Sequence, residues 1–406
     1  MIRHLFKRIK HAATWRLLFL QSLCFKPKRV LRLDNSLKPG VNLVGYAGAR
    51  LGLGEHVRMS AKVFNTATVD FGVINHTLGC ETRQHNELLC DKHMEKNIFK
   101  ANLIHITGHA LLPASAKLER DFFRNRYNIL YPAWELSKWP KAWWAHINPL
   151  IDELWAPTHF IYDSIIAENP TIPVKHMPVS VSLPNIPHYE REHFNLPQKP
   201  FLFLGSFDFL SHIERKNPQA TVQAFKSAFP ESCQNVGLVL KVMNANTNDQ
   251  RWKAMLDLID KDPRIFVIDK KLSRNEMLGL YTVTDAYVSL HRSEGFGYGP
   301  AEAMYLKKPV IVTNYSGNID YTKADNACLV DFELIKVKPK EYIYSKNQVW
   351  ADANIEHAAW YMRKLVNEPL YAANIAERGA QFIHEHHNPT VIAKNYTKRL
   401  TELGLV

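Results

Sequence analysis

The sequence predicts an α/β protein built from two Rossmann-like, doubly wound domains. Two series of apolar strands alternate with helical patterns along 406 residues, more than a single core usually holds. Between the series lies Ser180–Pro200, which carries Pro184, Pro187, Pro197 and Pro200 and has little periodicity. With 46% hydrophobic and 22% charged residues, the chain has the composition of an ordinary globular protein.

In the first series, strands are expected at Val41–Val44, Val69–Val73, Asn102–Ile106, Asn128–Tyr131, Glu153–Trp155 and Val174–Pro178. Helical spacing falls between them at Gly54–Phe64, Ala114–Arg126 and Phe160–Ala167. The second series opens with Phe201–Phe207 and continues through Val236–Met243, Ile265–Ile268, Asp285–Leu290, Val310–Thr313 and Cys328–Val330. Its helices include Pro218–Ala228, Gln250–Asp260 and Asn275–Tyr281, and from Ile355 the chain reads as helix to its end, with a break near Pro389. The expected organisation is an arm over 1–40, a first domain over 41–185, a linker over 186–200, a second domain over 201–385 and a final helix over 386–406.

The net charge of +12 is unevenly placed. Residues 1–40 hold ten Lys/Arg against one acid, Asp34, and so carry +9 of it. A groove that reads nucleic acid wants its positive charge on a binding face, so this distribution argues against that class. In the arm, Ile2, Leu5, Phe6, Ile9 and Ala13 recur at helical spacing with Arg3, Lys7, Arg8 and Lys10 between them. A basic amphipathic helix of this kind suits an anionic membrane face; a helix packed on the body is the plain alternative. The arm lacks a cleavage site, and no stretch of the chain approaches the ~20 apolar residues that span a bilayer. Five scattered cysteines, Cys24, Cys80, Cys90, Cys233 and Cys328, form no disulfide framework and fit a reducing compartment. The expected location is cytoplasmic, at the inner face of the membrane.

One segment carries more chemistry than any other. Glu294-Gly295-Phe296-Gly297-Tyr298-Gly299-Pro300-Ala301-Glu302 follows an expected strand and opens an expected helix. A strand–turn–helix presents backbone N–H groups and a positive helix end to an anion. The two glutamates flank that anion site and can hold hydroxyl groups on either side, as a nucleotide-sugar requires. The pattern resembles the E-x7-E signature of retaining GT-B glycosyltransferases of the family 4 class. Three further stretches are similar to parts of the same class: Asp208–Pro218 with Arg215 and Lys216, the glycine-rich Gly48–His56, and Tyr131-Pro132-Ala133-Trp134-Glu135-Leu136. Together they span roughly residues 41–400.

The resemblance implies two domains facing each other across a cleft, with the last helix crossing back to the first domain. It makes Glu294, Glu135 and Lys216 catalytic candidates, and Arg215, beside Lys216, stands in for a family arginine that usually lies nearer the end of the preceding strand, where this chain has Ser206 and Phe207. Glu302 would take the ribose hydroxyls; Gly295, Phe296, Gly297, Tyr298, Gly54 and Asn244 complete the donor-binding set. Trp134 and His105 are the acceptor-side candidates, at positions where relatives carry residues near the reacting carbon. Most relatives have an aliphatic residue and then proline where this chain has Tyr298-Gly299, so its turn is expected to differ. Each candidate has a plainer reading: a helix-end acid for Glu302, a surface pair for Arg215, an ion-pair partner for Glu135, a core residue for His105.

No metal or other cofactor is expected, because basic side chains do a metal's work at the diphosphate. His76, Cys80, His85, Cys90 and His93 crowd one segment but match no familiar zinc spacing, so a loop is expected there. The activity implied is hexosyl transfer from a nucleotide-diphosphate sugar to a glycan hydroxyl, on a lipid-linked acceptor in envelope polysaccharide or lipopolysaccharide assembly. A GT-B-like epimerase and a non-catalytic binding relative remain open, as do the base, the sugar and the linkage.

Overall fold

The computed structural model describes residues 33–406 except Arg50, residues 78–88, Glu119 and Leu210. The expected basic helix of the arm, with Cys24, Cys80 and His85, lies outside the described residues.

The chain packs into two compact units. The first comprises the described residues up to Trp134, with those of Lys138–Ser180 and Pro389–Val406; the second holds Glu135–Ser137 and the described residues of Val181–Asn388. In the first, six parallel strands run in the order β2-β1-β3-β4-β5-β6. They are β1 (Lys38–Gly45), β2 (Phe71–Asn75), β3 (Phe99–His105), β4 (Tyr127–Leu130), β5 (Glu153–Ala156) and β6 (Val174–His176). Helices α1 (Gly52–Thr66), α2 (Gly108–Leu118), α3 (Arg120–Phe123), α4 (Trp144–Ile147) and α5 (His159–Ile166) lie between strands. The helix expected at Ala114–Arg126 starts earlier, at Gly108, and runs through Pro113 despite its missing N–H.

Near-continuous apolar runs suit strands covered on both faces. One exception in this core is a fully buried amide ladder, in which Asn42 donates to Asn102 at 2.9 Å and Asn102 to Asn128 at 2.7 Å. The C-terminal helix, Pro389–Glu402, packs in this unit although it follows the second in sequence. Its Arg399 donates to the fully buried Glu153 at 2.5 and 3.0 Å, and its Tyr396 hydroxyl lies 2.9 Å from that of Tyr131.

The second unit has six parallel strands in the order β12-β11-β10-β7-β8-β9. They are β7 (Phe201–Asp208), β8 (Val236–Met243), β9 (Ile265–Ile268), β10 (Ala286–Ser289), β11 (Val310–Thr313) and β12 (Cys328–Val330). Their helices are α6 (Ile213–Lys216), α7 (Pro218–Ala228), α8 (Gln250–Ile259), α9 (Arg274–Val283), α10 (Tyr298–Tyr305), α11 (Ile355–Asn367) and α12 (Pro369–His386). An antiparallel pair, β13 (Phe332–Lys336) with β14 (Val349–Ala353), was not expected.

The stretch expected as an interdomain linker packs with this second unit. Phe194 and Leu196 are buried, and Arg191 pairs with Asp285 at 2.7 Å while donating to the Val283 carbonyl at 2.9 Å. Prolines there set the chain's direction without loosening it. In both sheets the strand order reverses once, between β1 and β3 and between β7 and β10. Open α/β sheets bind ligands at the carboxyl ends of the strands that flank such a reversal.

Candidate active site

In the second unit that reversal brings together the loops that leave β7 and β10. The β10 loop runs from Leu290 to Gly297 and is held by the loop that follows β11. There Ser316 accepts from the Glu294 N–H at 2.8 Å, and the Gly317 N–H donates to the Glu294 carbonyl at 2.9 Å. His291 lies 2.9 Å from Asn318 Oδ1 and 3.0 Å from the Ser289 hydroxyl, fixing the base of the turn.

Gly297 sits at φ +89°, and a Cβ there would come 2.8 Å from the Tyr321 hydroxyl, which donates to its carbonyl at 2.6 Å. A side chain would be strained on both counts. Gly299, the departure from the usual pattern, has a local cause: a Cβ at that position would land on the Tyr287 hydroxyl. Tyr287 in turn stacks on Tyr281 at 5.3 Å and meets the Ser206 hydroxyl at 2.9 Å, so this turn rests on tyrosines. Phe296 is buried against Tyr321 and Tyr298, each 5.0 Å away.

From β7, the single turn α6 carries Arg215 and Lys216 between two left-handed residues, His212 (φ +59°) and Asn217 (φ +50°). Arg215 Nη1 donates to Glu294 Oε2 at 2.9 Å and to the Ser293 carbonyl at 2.7 Å, while Lys216 Nζ lies 2.5 Å from Glu294 Oε1. Glu135 Oε1 lies 3.9 Å from Arg215 Nη2, and the Tyr342 hydroxyl donates to Glu135 Oε2. The four ions balance, two cations against two carboxylates. Burial alone would raise the Glu294 carboxyl, but Arg215 and Lys216 outweigh it and hold the group well below the usual carboxylate range. Burial likewise opposes the charge on Arg215, and Glu294 and Glu135 more than offset that.

Glu302, 5% exposed on the second turn of α10, is gripped by both arms of the Arg274 guanidinium, at 2.6 and 3.2 Å. Neither Arg274 nor Tyr342 was singled out in the sequence. Arg274 is 28 positions from Glu302, and Tyr342 reaches Glu135 from a loop 207 positions away. The loop between β13 and β14 also sets the Tyr342 ring at a tilt against His212, with ring centroids 4.5 Å apart.

Other expected site residues are less directly joined to this cluster. Asn244, at φ +56° just after β8, donates to Asp208 at 2.8 Å and lines a cavity of about 220 Å³ with Phe209, His212, Asn246, Asp249 and Arg251. Glu135 was expected in the first domain, but packing places it in the second unit. Trp134 is 1% exposed, wedged edge-on against Trp139 and Trp143, and donates its indole N–H to the Lys138 carbonyl at 3.1 Å. It is a core residue of the first unit and offers no surface to an acceptor. Gly54 is required by the loop itself, because a Cβ there would land on the Ala49 carbonyl; close approach to a ligand is not needed to explain it.

His105, the last residue of β3, also belongs to the core. It has no exposed surface, and its ring meets those of His56 and Tyr131 at 4.6 and 5.3 Å. Burial drives His56 down to about 3; burial and the neighbouring His56 drive His105 well below the ordinary histidine value. A depressed histidine stabilises the fold fully above its unfolded value near 6.5 and loses that contribution as pH falls toward the folded value. Acidification from pH 7 to pH 5 is therefore expected to cost about 2 kcal/mol through His56 alone. Urea unfolding of the chain and of His56→Gln at both pH values checks this, and an equal loss in the variant would remove His56 as the cause.

Residues 195–382 match the family model described as Glycosyl transferases group 1. They contain Arg215, Lys216, Arg274, Glu294 and Glu302. The second unit carries the domain of the group 1 glycosyltransferases, and the chain as a whole has the GT-B fold. No curated protein matches it by sequence. Among solved structures, this glycosyltransferase resembles HepE of Anabaena, in complex with UDP and glucose, at 12% identity and a TM-score of 0.65, over 90% of this chain and 100% of that one. It is similar to sucrose-phosphate synthase of Thermosynechococcus elongatus at 13% identity and TM-score 0.65, covering 90% and 99% of the two chains. A glycosyltransferase from Rickettsia africae matches at 11% identity and TM-score 0.56, covering 90% and 98%. At such identities the likeness establishes the fold.

Proposed function

We propose that this glycosyltransferase moves a hexosyl group from a uridine diphosphate sugar to a hydroxyl of a glycan acceptor, with retention of configuration. The observation that carries the reading is the pair Arg215–Lys216, set against Glu294 at the strand-order reversal and followed by the amino end of α10. A diphosphate arriving there meets two cations and a helix end whose first N–H groups have no acceptor within the helix. Pro300 contributes no N–H, so backbone donation falls to the residues just before it. The uridine base follows the neighbours: HepE was solved with UDP and glucose, and with UDP-glucose.

In the proposed reaction the bond between the anomeric carbon and the diphosphate oxygen breaks, and a bond to the acceptor oxygen forms on the same face. The acceptor proton passes to a diphosphate oxygen. Arg215 and Lys216 stabilise the departing charge, Glu294 holds the hydroxyls of the transferred sugar, and Glu302 holds the ribose. Glu135 orients the acceptor hydroxyl from beside Arg215. Basic side chains neutralise the diphosphate, so activity is expected to persist in chelator. The +9 arm over residues 1–40 supports a lipid-linked acceptor at an anionic membrane face, in envelope polysaccharide or lipopolysaccharide assembly. Co-sedimentation with anionic vesicles tests that part, and recovery of the chain in the supernatant would remove it. No described helix is long and apolar enough to cross a membrane.

A thermal-shift panel of uridine and guanosine diphosphate sugars tests the donor site directly. The uridine series is expected to raise the melting temperature. Glu302→Ala should cost about 1.5–3 kcal/mol of nucleotide affinity, the range for a lost hydrogen bond to a charged group. Affinity equal to wild type would take Glu302 out of the site. Conversion of the donor into another sugar nucleotide in the absence of acceptor would replace transfer with epimerisation.

A further inference from the structure

We infer that Arg274 is a positioning residue that aims Glu302 at the ribose and makes the site demand a 2′-hydroxyl. The inference rests on the donor reading above, in which Glu302 receives the ribose hydroxyls.

The geometry that carries it is a two-point grip between two helix ends. Arg274 is the first residue of α9, just after the turn that leaves the carboxyl end of β9. Its backbone is fixed by a reciprocal cap, with the Ser273 hydroxyl accepting from the Glu276 N–H at 3.1 Å and Glu276 accepting from the Ser273 N–H at 2.7 Å. From that fixed origin the guanidinium donates to Glu302 Oε1 at 2.6 Å and to Oε2 at 3.2 Å. A planar fork on both oxygens sets the plane of the carboxylate as well as its position, which a lysine ammonium cannot do.

Glu302 needs such help. Its side chain is 7% exposed while that of Arg274 is 35% exposed, so the acid is buried and the cation reaches out to solvent. The fork fixes how this buried carboxylate is turned about its own side-chain bonds. A carboxylate has roughly four acceptor sites, so two bonds from Arg274 do not exhaust it. Discrimination for a hydroxyl is strong where a site is built to bond it, because its absence strands a buried polar group. The fork holds Glu302 in that built state.

The test compares UDP with 2′-deoxy-UDP by titration calorimetry on the full chain and on Arg274→Met and Arg274→Lys. The wild type is expected to bind UDP at least tenfold more tightly than the deoxy compound. Arg274→Met should lose about tenfold in UDP affinity with little change for 2′-deoxy-UDP, so that the two become nearly equal. Arg274→Lys, which keeps the charge and the fold but not the fork, should recover only a small part of the difference. A variant that weakens both ligands by the same factor, or keeps the wild-type ratio, overturns the role of Arg274 and leaves the donor reading standing. Failure of the wild type to bind UDP at all overturns both. Thermal melts of each variant without nucleotide separate a loss of binding from a loss of fold.

Discussion

Replacing Arg215 with methionine is expected to destabilise the second unit by about 3–5 kcal/mol at pH 7, the usual cost of stranding one member of a buried ion pair. Glu294 is 8% exposed, and its two oxygens are divided between Arg215 and Lys216. Methionine keeps the volume and removes the charge, so Glu294 retains a single cation while Glu135 loses its neighbour at 3.9 Å. The effect should depend on pH with a definite sign. The folded Glu294 titrates below its unfolded value near 4.3, so its contribution is complete above that value and disappears as pH falls toward the folded one. The gap between wild type and variant should therefore be widest at neutral pH and narrow below about pH 4. Urea unfolding at pH 7 and pH 3.5 measures it. A gap under 1 kcal/mol at pH 7, or one that does not change with pH, would mean that the four ions do not hold one another.

Most of the strand framework was legible because the second unit's sheet is covered on both faces. Val236–Met243, Ile265–Ile268, Val310–Thr313 and Cys328–Val330 are short apolar runs between turn residues, and each is a strand with those bounds. The pair β13–β14 escaped because Glu333, Leu334 and Lys336 face solvent and give no alternating apolar signal. The Glu294 group was partly legible: the glycine-rich turn and the basic Arg215–Lys216 step are local in sequence, and the reversal of strand order joins them. Arg274 and Tyr342 were not, since each meets its acid through tertiary packing that no spacing encodes. Trp134 and His105 show the opposite case. Both stand at or just beyond strand ends, where a side chain can turn toward solvent or back into the sheet, and the indole and imidazole rings turned inward. The proline-bearing stretch before β7 misled for a related reason, because Phe194 and Leu196 supply too few apolar positions to register as a pattern yet bury fully enough to anchor it.

Replacing Lys216 with alanine is expected to separate catalysis from stability. Its side chain is 22% exposed, and Arg215 would still pair with Glu294 at 2.9 Å, so the loss of fold stability should stay near 1 kcal/mol. The reaction should suffer far more. Negative charge builds on the diphosphate as the glycosidic bond breaks, and a cation placed beforehand needs no rearrangement to meet it. Loss of one such group lowers kcat by roughly 10²–10³ in comparable sites. Donor KM should move much less, because in the proposed complex Arg215 and the end of α10 still share the charge of the ground-state diphosphate. Lys216→Arg restores a cation in a bulkier form and should recover part of kcat without restoring it fully. Steady-state transfer measured at saturating donor, beside a thermal melt of each variant, distinguishes these effects. Wild-type kcat in the alanine variant would place the departing diphosphate elsewhere, whereas a collapse in melting temperature would make Lys216 a prop for Glu294 instead of a partner in the chemistry.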